Sequence, residues 1–239
     1  GQQYHSLILE PERFEETHIV MPDFASDPSN VDAKGKPSTS SNTKWCREAK
    51  SQFGRSNAGR SIIAQGDLDR AMQMIESINS KPKARQLTES SQREVAVGGP
   101  VGDTPCKGRL DLLGGAISDI KGTATVSPRL FGQLACRLHY PEKMSFYREL
   151  VRQETGRTLP VYLIAVETDG DFDCAVFELP EILLDQAFER VDRLIRDYEQ
   201  ALGSDHWPGV DRDEEVLQFH LPNWYMPEDG DGLDWGEVA

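Results

Sequence analysis

The stretch Lys107-Gly-Arg-Leu-Asp111-Leu-Leu-Gly-Gly-Ala-Ile-Ser-Asp119-Ile-Lys121 decides the reading of this chain. Arg109-Leu-Asp-Leu-Leu and Ile117-Ser-Asp-Ile-Lys read as two β-strands, and Gly114-Gly115 between them is a hairpin-turn pair. Strand side chains alternate between faces, so Asp119 and Lys121 share one face while Ile120 turns into the core. Asp111 approaches the same spot from the neighbouring strand. Carboxylates cost free energy wherever they are half-buried, so their presence in an apolar hairpin points to chemistry.

Two carboxylate oxygens with the backbone carbonyl of Ile120 suit Mg²⁺ or Mn²⁺, hard cations that take oxygen ligands. Such an ion would polarise a phosphate diester and acidify a water, with Lys121 orienting that water and offsetting charge on the phosphorus. From spacing alone, a surface Asp-Lys ion pair explains the motif about equally well.

Other blocks extend the pattern. The opening Gly1-Gln-Gln-Tyr-His5-Ser-Leu-Ile-Leu-Glu-Pro-Glu-Arg-Phe14 is a helix followed by an acidic turn. Gln92-Arg-Glu94-Val-Ala-Val is a strand carrying a carboxylate. In Tyr140-Pro-Glu-Lys143-Met-Ser-Phe-Tyr147, the residues Tyr140, Lys143 and Tyr147 fall on one side of a helix. Trp207-Pro-Gly-Val closes the series.

Taken in order, these blocks resemble the PD-(D/E)XK nuclease superfamily, and within it the RecE-type exonucleases of phages and prophages. The resemblance runs from residue 1 to about 225. It implies an α/β fold with a restriction-endonuclease-like core: a central mixed β-sheet flanked by helices, preceded by an N-terminal helical region. It assigns Asp111, Asp119, Lys121 and Glu94 to catalysis, and His5, Asp111, Asp119 and the Ile120 carbonyl to a Mg²⁺ or Mn²⁺ ion. Tyr140, Lys143, Tyr147 and Arg109 would contact DNA. It further implies hydrolysis from duplex DNA ends in the 5′-to-3′ direction during phage-type recombination, a ring-like homo-oligomer and cooperation with a single-strand annealing protein. The branch usually has a helix before this opening block, which the sequence does not contain.

The chain departs from the pattern at two places. Lys143 stands where the branch has Gln, offering a point charge in place of an amide's paired donor and acceptor. Gly122 stands where Thr or Ser usually follows the lysine. These departures motivate a second hypothesis, a DNA-end binding or protein-interaction module on the same fold, and an endonuclease is a third.

With 239 residues, 38% of them hydrophobic, the chain can bury one sizeable core. The expected organisation is one domain over 1–225 and an acidic tail over 226–239, where Pro227 to Ala239 holds five acidic residues and no basic one. No apolar run of membrane-spanning length or signal segment is present, which points to a soluble cytoplasmic protein. Cys46, Cys106, Cys136 and Cys174 form no CxxC pair, which speaks against zinc and for free buried thiols. A net charge of −14 excludes a broad DNA-coating surface. Basic residues in Lys44 to Arg60 and Lys81 to Arg93 leave room for a local channel.

Periodicity predicts helices at 2–9, 11–16, 41–53, 67–77, from 82, 127–138, 141–155 and 180–202. The site helix is expected to be kinked or split at Pro141. Strands are expected at 93–98, 106–113, 116–121, 161–167 and 173–179, the last two covered on both faces. Residues 22–43, rich in Pro, Ser, Asn and Asp, read as a long loop with the composition of disordered segments. The inward faces are expected to be Leu68, Ala71, Met72 and Ile75 in one helix, and Ile182, Ala187, Val191, Leu194, Ile195 and Tyr198 in the last.

Overall fold

Gly114 and Gly115 do turn the chain between two antiparallel strands, and the computed structural model, which describes residues 2–209 and 216–218, shows what that hairpin is embedded in. The elements run α1 (Gln2–Leu9), α2 (Pro11–Thr17), β1 (His18–Val20), α3 (Lys44–Ser56), β2 (Ser61–Ile63), α4 (Gln65–Ser80) and α5 (Pro82–Glu89). They continue as β3 (Gln92–Val101), β4 (Thr104–Leu113), β5 (Ile117–Thr123), α6 (Pro128–Arg137), α7 (Tyr140–Thr155), β6 (Val161–Glu167), β7 (Cys174–Glu178) and α8 (Glu181–Ser204).

One sheet has the order β3-β4-β5-β6-β7. All neighbours in it are antiparallel except β5 and β6, which run parallel and are joined through α6 and α7, as a parallel connection requires. The expected mixed sheet is therefore present. The short strands β1 and β2, which sequence periodicity did not reveal, pair in parallel as a separate two-stranded sheet.

Helices cover both faces of the larger sheet. On one side Phe131 of α6, Met144, Leu150 and Val151 of α7 and Leu184 of α8 pack on Val161, Leu163 and Ala165. On the other, Leu9 of α1, Met74 and Ile78 of α4 and Leu87 of α5 pack on Ile120, Ile164 and Val166. Alternate residues of β6 thus serve opposite cores, which is why the strand is apolar almost throughout. Each fully buried Leu, Ile or Met contributes about 1.5–3 kcal/mol relative to exposure.

The chain divides into two units, residues 1–196 and 197–239. Within the second, the rings of Tyr198 and Trp207 lie 5.8 Å apart. Val210 of the Trp-Pro-Gly-Val block and the tail over 226–239 fall outside the described residues.

Several expectations need correction. In α8, Leu184 and Ala187 are buried, with Leu183, Phe188 and Ile195 against the core, whereas Ile182 and Leu194 are 71% and 64% exposed. Ile182 lies two residues before Leu184, ~200° round the helix, so it faces away. Tyr198 is also exposed. In α4 the buried stripe is Ala71, Met74 and Ile78, and Met72 is exposed. Cys46 and Cys174 are buried free thiols, but Cys136 is exposed. Of the two outcomes expected for the site helix, kinked or split, the structure shows the split: His139, in the left-handed region at φ 56°, separates α6 from α7.

Residues 22–43 hold turns and one isolated bridge, Val31 with Pro37. Their polar residues organise the backbone. Buried Asn30 donates to the carbonyls of Ala25 (2.9 Å) and Ser40 (3.1 Å), and accepts from the Thr43 hydroxyl that caps α3. Asp23, Asp27 and Asp32 accept amide hydrogen bonds from residues just after them.

Candidate metal centre and its basic flank

The site lies where β4 and β5 part. They pair only at Leu112 with Ser118 and at Leu113 with Ile117, next to the glycine turn. Beyond that point the amide of Ile120 donates 2.9 Å to the carboxylate of Asp111. A side chain thereby takes a hydrogen bond that a ladder would otherwise supply, and the backbone group stays satisfied.

The alternation of β4 also breaks at Asp111. A regular strand sends Leu110 and Leu112 to one face, yet Leu110 belongs to the core under α7 and Leu112 to the core under α4. Opposite this break, Glu94 adopts φ 54° and leaves a gap in the ladder between Arg93–Leu112 and Val95–Leu110. A non-glycine residue in this region costs on the order of 1–3 kcal/mol and persists where its surroundings impose it. Here the distortion accompanies convergence of Glu94 and Asp111 on one histidine.

That histidine is His5, delivered by α1. Its Nε2 lies 2.9 Å from Oδ2 of Asp111 and its Nδ1 3.7 Å from Oε1 of Glu94. One ligand atom from each of His5, Glu94 and Asp111 lies within 4.8 Å of the others, so the three can hold a cation. One imidazole and two carboxylates suit Mn²⁺ or Mg²⁺, with nitrogen favouring the former. Arg109 pairs with Glu94 and reaches Glu10 at 3.4 Å, holding the outer carboxylate from the solvent side.

The electrostatics follow from these contacts. The Asp111 hydrogen bond raises the pKa of His5 against the opposing effect of burial, and the charges of Asp111, Glu94 and Asp119 add to it. For Asp111, burial pushes upward, but His5, the Ile120 amide and Lys121 outweigh it and hold the carboxyl low. Burial raises Glu94, with Arg109 and His5 opposing.

Asp119 has different company. It is 1% exposed and pairs with Lys121, two residues along β5, and with Nζ of Lys143 from α7 at 2.8 Å. Burial opposes the Lys143 charge, yet the charge and hydrogen bond of Asp119 raise its pKa well above the usual lysine value. Lys121 sits 4.9 Å from the Tyr140 ring centroid and Lys143 5.2 Å from that of Tyr147. Tyr147 can lie on β4 because residue 108 is glycine: a Cβ there would meet its ring at 2.5 Å.

The structure therefore brings His5, Glu94 and Asp111 together, and sets Asp119, Lys121, Tyr140, Lys143 and Tyr147 beside them. Asp119 lies outside the three-ligand cluster, with each of its oxygens engaged by a lysine. Ile120 contributes its amide to Asp111, and its side chain is buried in the core. Tyr4 and Glu10 escaped the sequence reading. The only signal for Tyr4 was adjacency to His5, and Glu10 showed itself only as part of the opening block.

A mixed sheet between helical layers, with Asp111 and an Asp119-Ile-Lys121 run where two central strands part, is the PD-(D/E)XK architecture. The chain belongs to the family described as a PDDEXK-like domain of unknown function (DUF3799), matched over residues 1–215. Among solved structures it is similar to a protein of Eubacterium rectale described as a "putative exonuclease", with 19% identity over 74% of this chain and 72% of that one and a TM-score of 0.53. This likeness supports the fold. SSO0001 is also similar, at 17% identity over 81% of this chain and 85% of that one, but its TM-score of 0.30 carries no structural weight. The comparison with curated proteins gives no match. Among the described residues no helix is long and apolar enough to cross a membrane.

Proposed function

We propose that this protein is a divalent-metal-dependent deoxyribonuclease that hydrolyses phosphodiester bonds from duplex DNA ends, of the RecE type within its superfamily. The observation that carries the reading is the convergence of His5, Glu94 and Asp111 beside the Asp119–Lys121 pair. A bound Mg²⁺ or Mn²⁺ would supply Lewis-acid polarisation of the scissile phosphate and a more acidic water.

The protein's own groups do the rest. His5, Glu94 and Asp111 would hold the ion, and Arg109 keeps Glu94 oriented. Lys121, anchored by Asp119, orients the attacking water and offsets charge gathering on the phosphorus. Lys143 meets a phosphate as a point charge, and Tyr140 and Tyr147 support the two ammonium groups from below. The direction of digestion, taken as 5′-to-3′, the homo-oligomer and the single-strand annealing partner come with the RecE-type resemblance, as does the recombination role.

The engagement of Asp119 by Lys143 favours one other reading, a weakened nuclease that serves as a DNA-end binding module. End-labelled linear duplex and closed circular DNA, incubated with Mg²⁺ or Mn²⁺ beside a Lys121→Ala control, separate the cases. Loss of the linear substrate alone, abolished in the control, is the expected result. Cutting of the circle makes the protein an endonuclease, and no Lys121-dependent cleavage of either leaves the binding module.

A further inference from the structure

Gly122 follows Lys121 directly, and its amide donates 2.8 Å to the phenolic oxygen of Tyr4. A Cβ at position 122 would lie 2.6 Å from that oxygen, 2.9 Å from Cζ of Tyr4 and 2.9 Å from the Thr168 methyl. All three are closer than side chains approach one another, and a half-buried tyrosine ring cannot yield as a flexible chain would. Tyr4, with the Thr168 methyl beside it, therefore occupies the space that a side chain at position 122 would fill.

Tyr4 is next to His5 on α1. Successive residues of one short helix thus grip both strands of the parted pair: Tyr4 holds β5 just past Lys121, and His5 holds β4 at Asp111. α1 needs such a grip. Among its residues from Tyr4 onward, only Leu9 is buried, at 2% exposure, and it lies a full turn from His5. An eight-residue helix has little intrinsic stability, so its placement rests on what its side chains reach.

We infer that Tyr4 is a positioning residue, a latch whose hydroxyl on the Gly122 amide sets α1 so that His5 reaches the cation site, and that glycine at position 122 is the condition for the latch to close. The departure at position 122 is then a matched half of a pair. This deepens the nuclease reading and rests on it for its metal readout, but the latch itself is a contact that can be tested without metal.

Four variants test it: Tyr4→Phe, Gly122→Ser, Tyr4→Ala, and Gly122→Ser combined with Tyr4→Ala. Thermal melts establish that each folds. Amide hydrogen exchange, read without metal, should show Gly122 and α1 losing protection in Tyr4→Phe, with the rest of β5 unchanged. Mn²⁺ affinity, read by electron paramagnetic resonance, should fall about three- to tenfold in Tyr4→Phe, the scale of one lost hydrogen bond. Gly122→Ser should cost more than tenfold when Tyr4 is present and at least about threefold less than that in the Tyr4→Ala background, where the Thr168 methyl alone still opposes it. An equal Gly122→Ser penalty in both backgrounds, or unchanged exchange in Tyr4→Phe, overturns the latch. If the wild-type protein neither binds Mn²⁺ nor cuts DNA, the nuclease reading fails while the exchange data still decide the latch.

Discussion

Two buried aspartates on neighbouring strands have been given opposite surroundings. Asp111 faces a histidine and another carboxylate, so its half of the site is rich in negative charge and in ligand atoms. Asp119 faces two ammonium groups, so its half carries a net positive charge with the aspartate counted. The same residue type therefore serves two purposes: one half is built to take a cation, the other to take an anion. The halves sense each other, since Lys121 helps hold Asp111 low and Asp119 helps raise His5. A phosphate bridging a cation and an ammonium is what such a juxtaposition fits.

The sharpest way to break the comparison is Asp111→Asn. The amide oxygen can still accept from Ile120, so the strands stay as they are, but the charge that holds a cation is gone. Mn²⁺ affinity should fall more than about 100-fold, beyond the usual effect of outer-shell partners. Titration calorimetry reads this, and an unchanged affinity would place the ion elsewhere.

A pH series comes next in size. Metal ligation needs a neutral imidazole, while the Asp111 hydrogen bond raises the pKa of His5 in the metal-free protein. Below that raised pKa, Mn²⁺ affinity should drop by about tenfold per pH unit, one proton being displaced per ion, and level off above it. The metal-free stability runs the other way. A raised histidine contributes stability that is complete below its unfolded pKa, about 6.5, and is lost as pH rises through the folded value. Denaturant melts with and without Mn²⁺ across pH 5.5 to 8.5, a window of about one to two units either side of that value, should therefore show opposite trends.

The smallest effect tests the basic half. Lys143→Gln introduces the residue that the RecE-type pattern has, and leaves Asp119 its pair with Lys121. Removing one nearby positive charge should raise Mn²⁺ affinity by about two- to fivefold. It should also reduce the slope of log duplex affinity against log salt by about 0.9, the signature of one lost phosphate contact. If neither changes, the ammonium faces neither ion nor phosphate, and the basic half is only a structural pair.

Legibility in the sequence followed distance along the chain. The hairpin with Asp111, Asp119 and Lys121 could be read because strand alternation and a glycine turn are local properties. The five strands of the larger sheet and most helices could be read for the same reason, whereas β1 and β2 are too short to show a period. His5 is separated from Asp111 by 106 positions and has no periodic signature, so only resemblance pointed to it. The inward stripe of α8 holds at Ala187 and Ile195 but fails at Ile182 and Leu194, which are as apolar as the residues actually buried, because hydropathy cannot choose between adjacent stripes. The loop over 22–43 owes much of its shape to Asn30, whose hydrogen bonds to residues 5, 10 and 13 positions away no composition reveals.

What the sequence determined by itself is the five strands of the larger sheet and the helices, the presence of two carboxylates and a lysine in a hairpin, and the α/β class, since each depends on neighbours a few residues apart. Tertiary structure alone decided which groups share Asp111 and which share Asp119. That division arises because β4 and β5 stop pairing at the site, the alternation of β4 breaks at Asp111, and helices from either side of the sheet reach in, α1 with His5 and α7 with Lys143. Burial then makes each contact decisive, because a carboxylate removed from water takes its electrostatic character from the charges that packing sets against it.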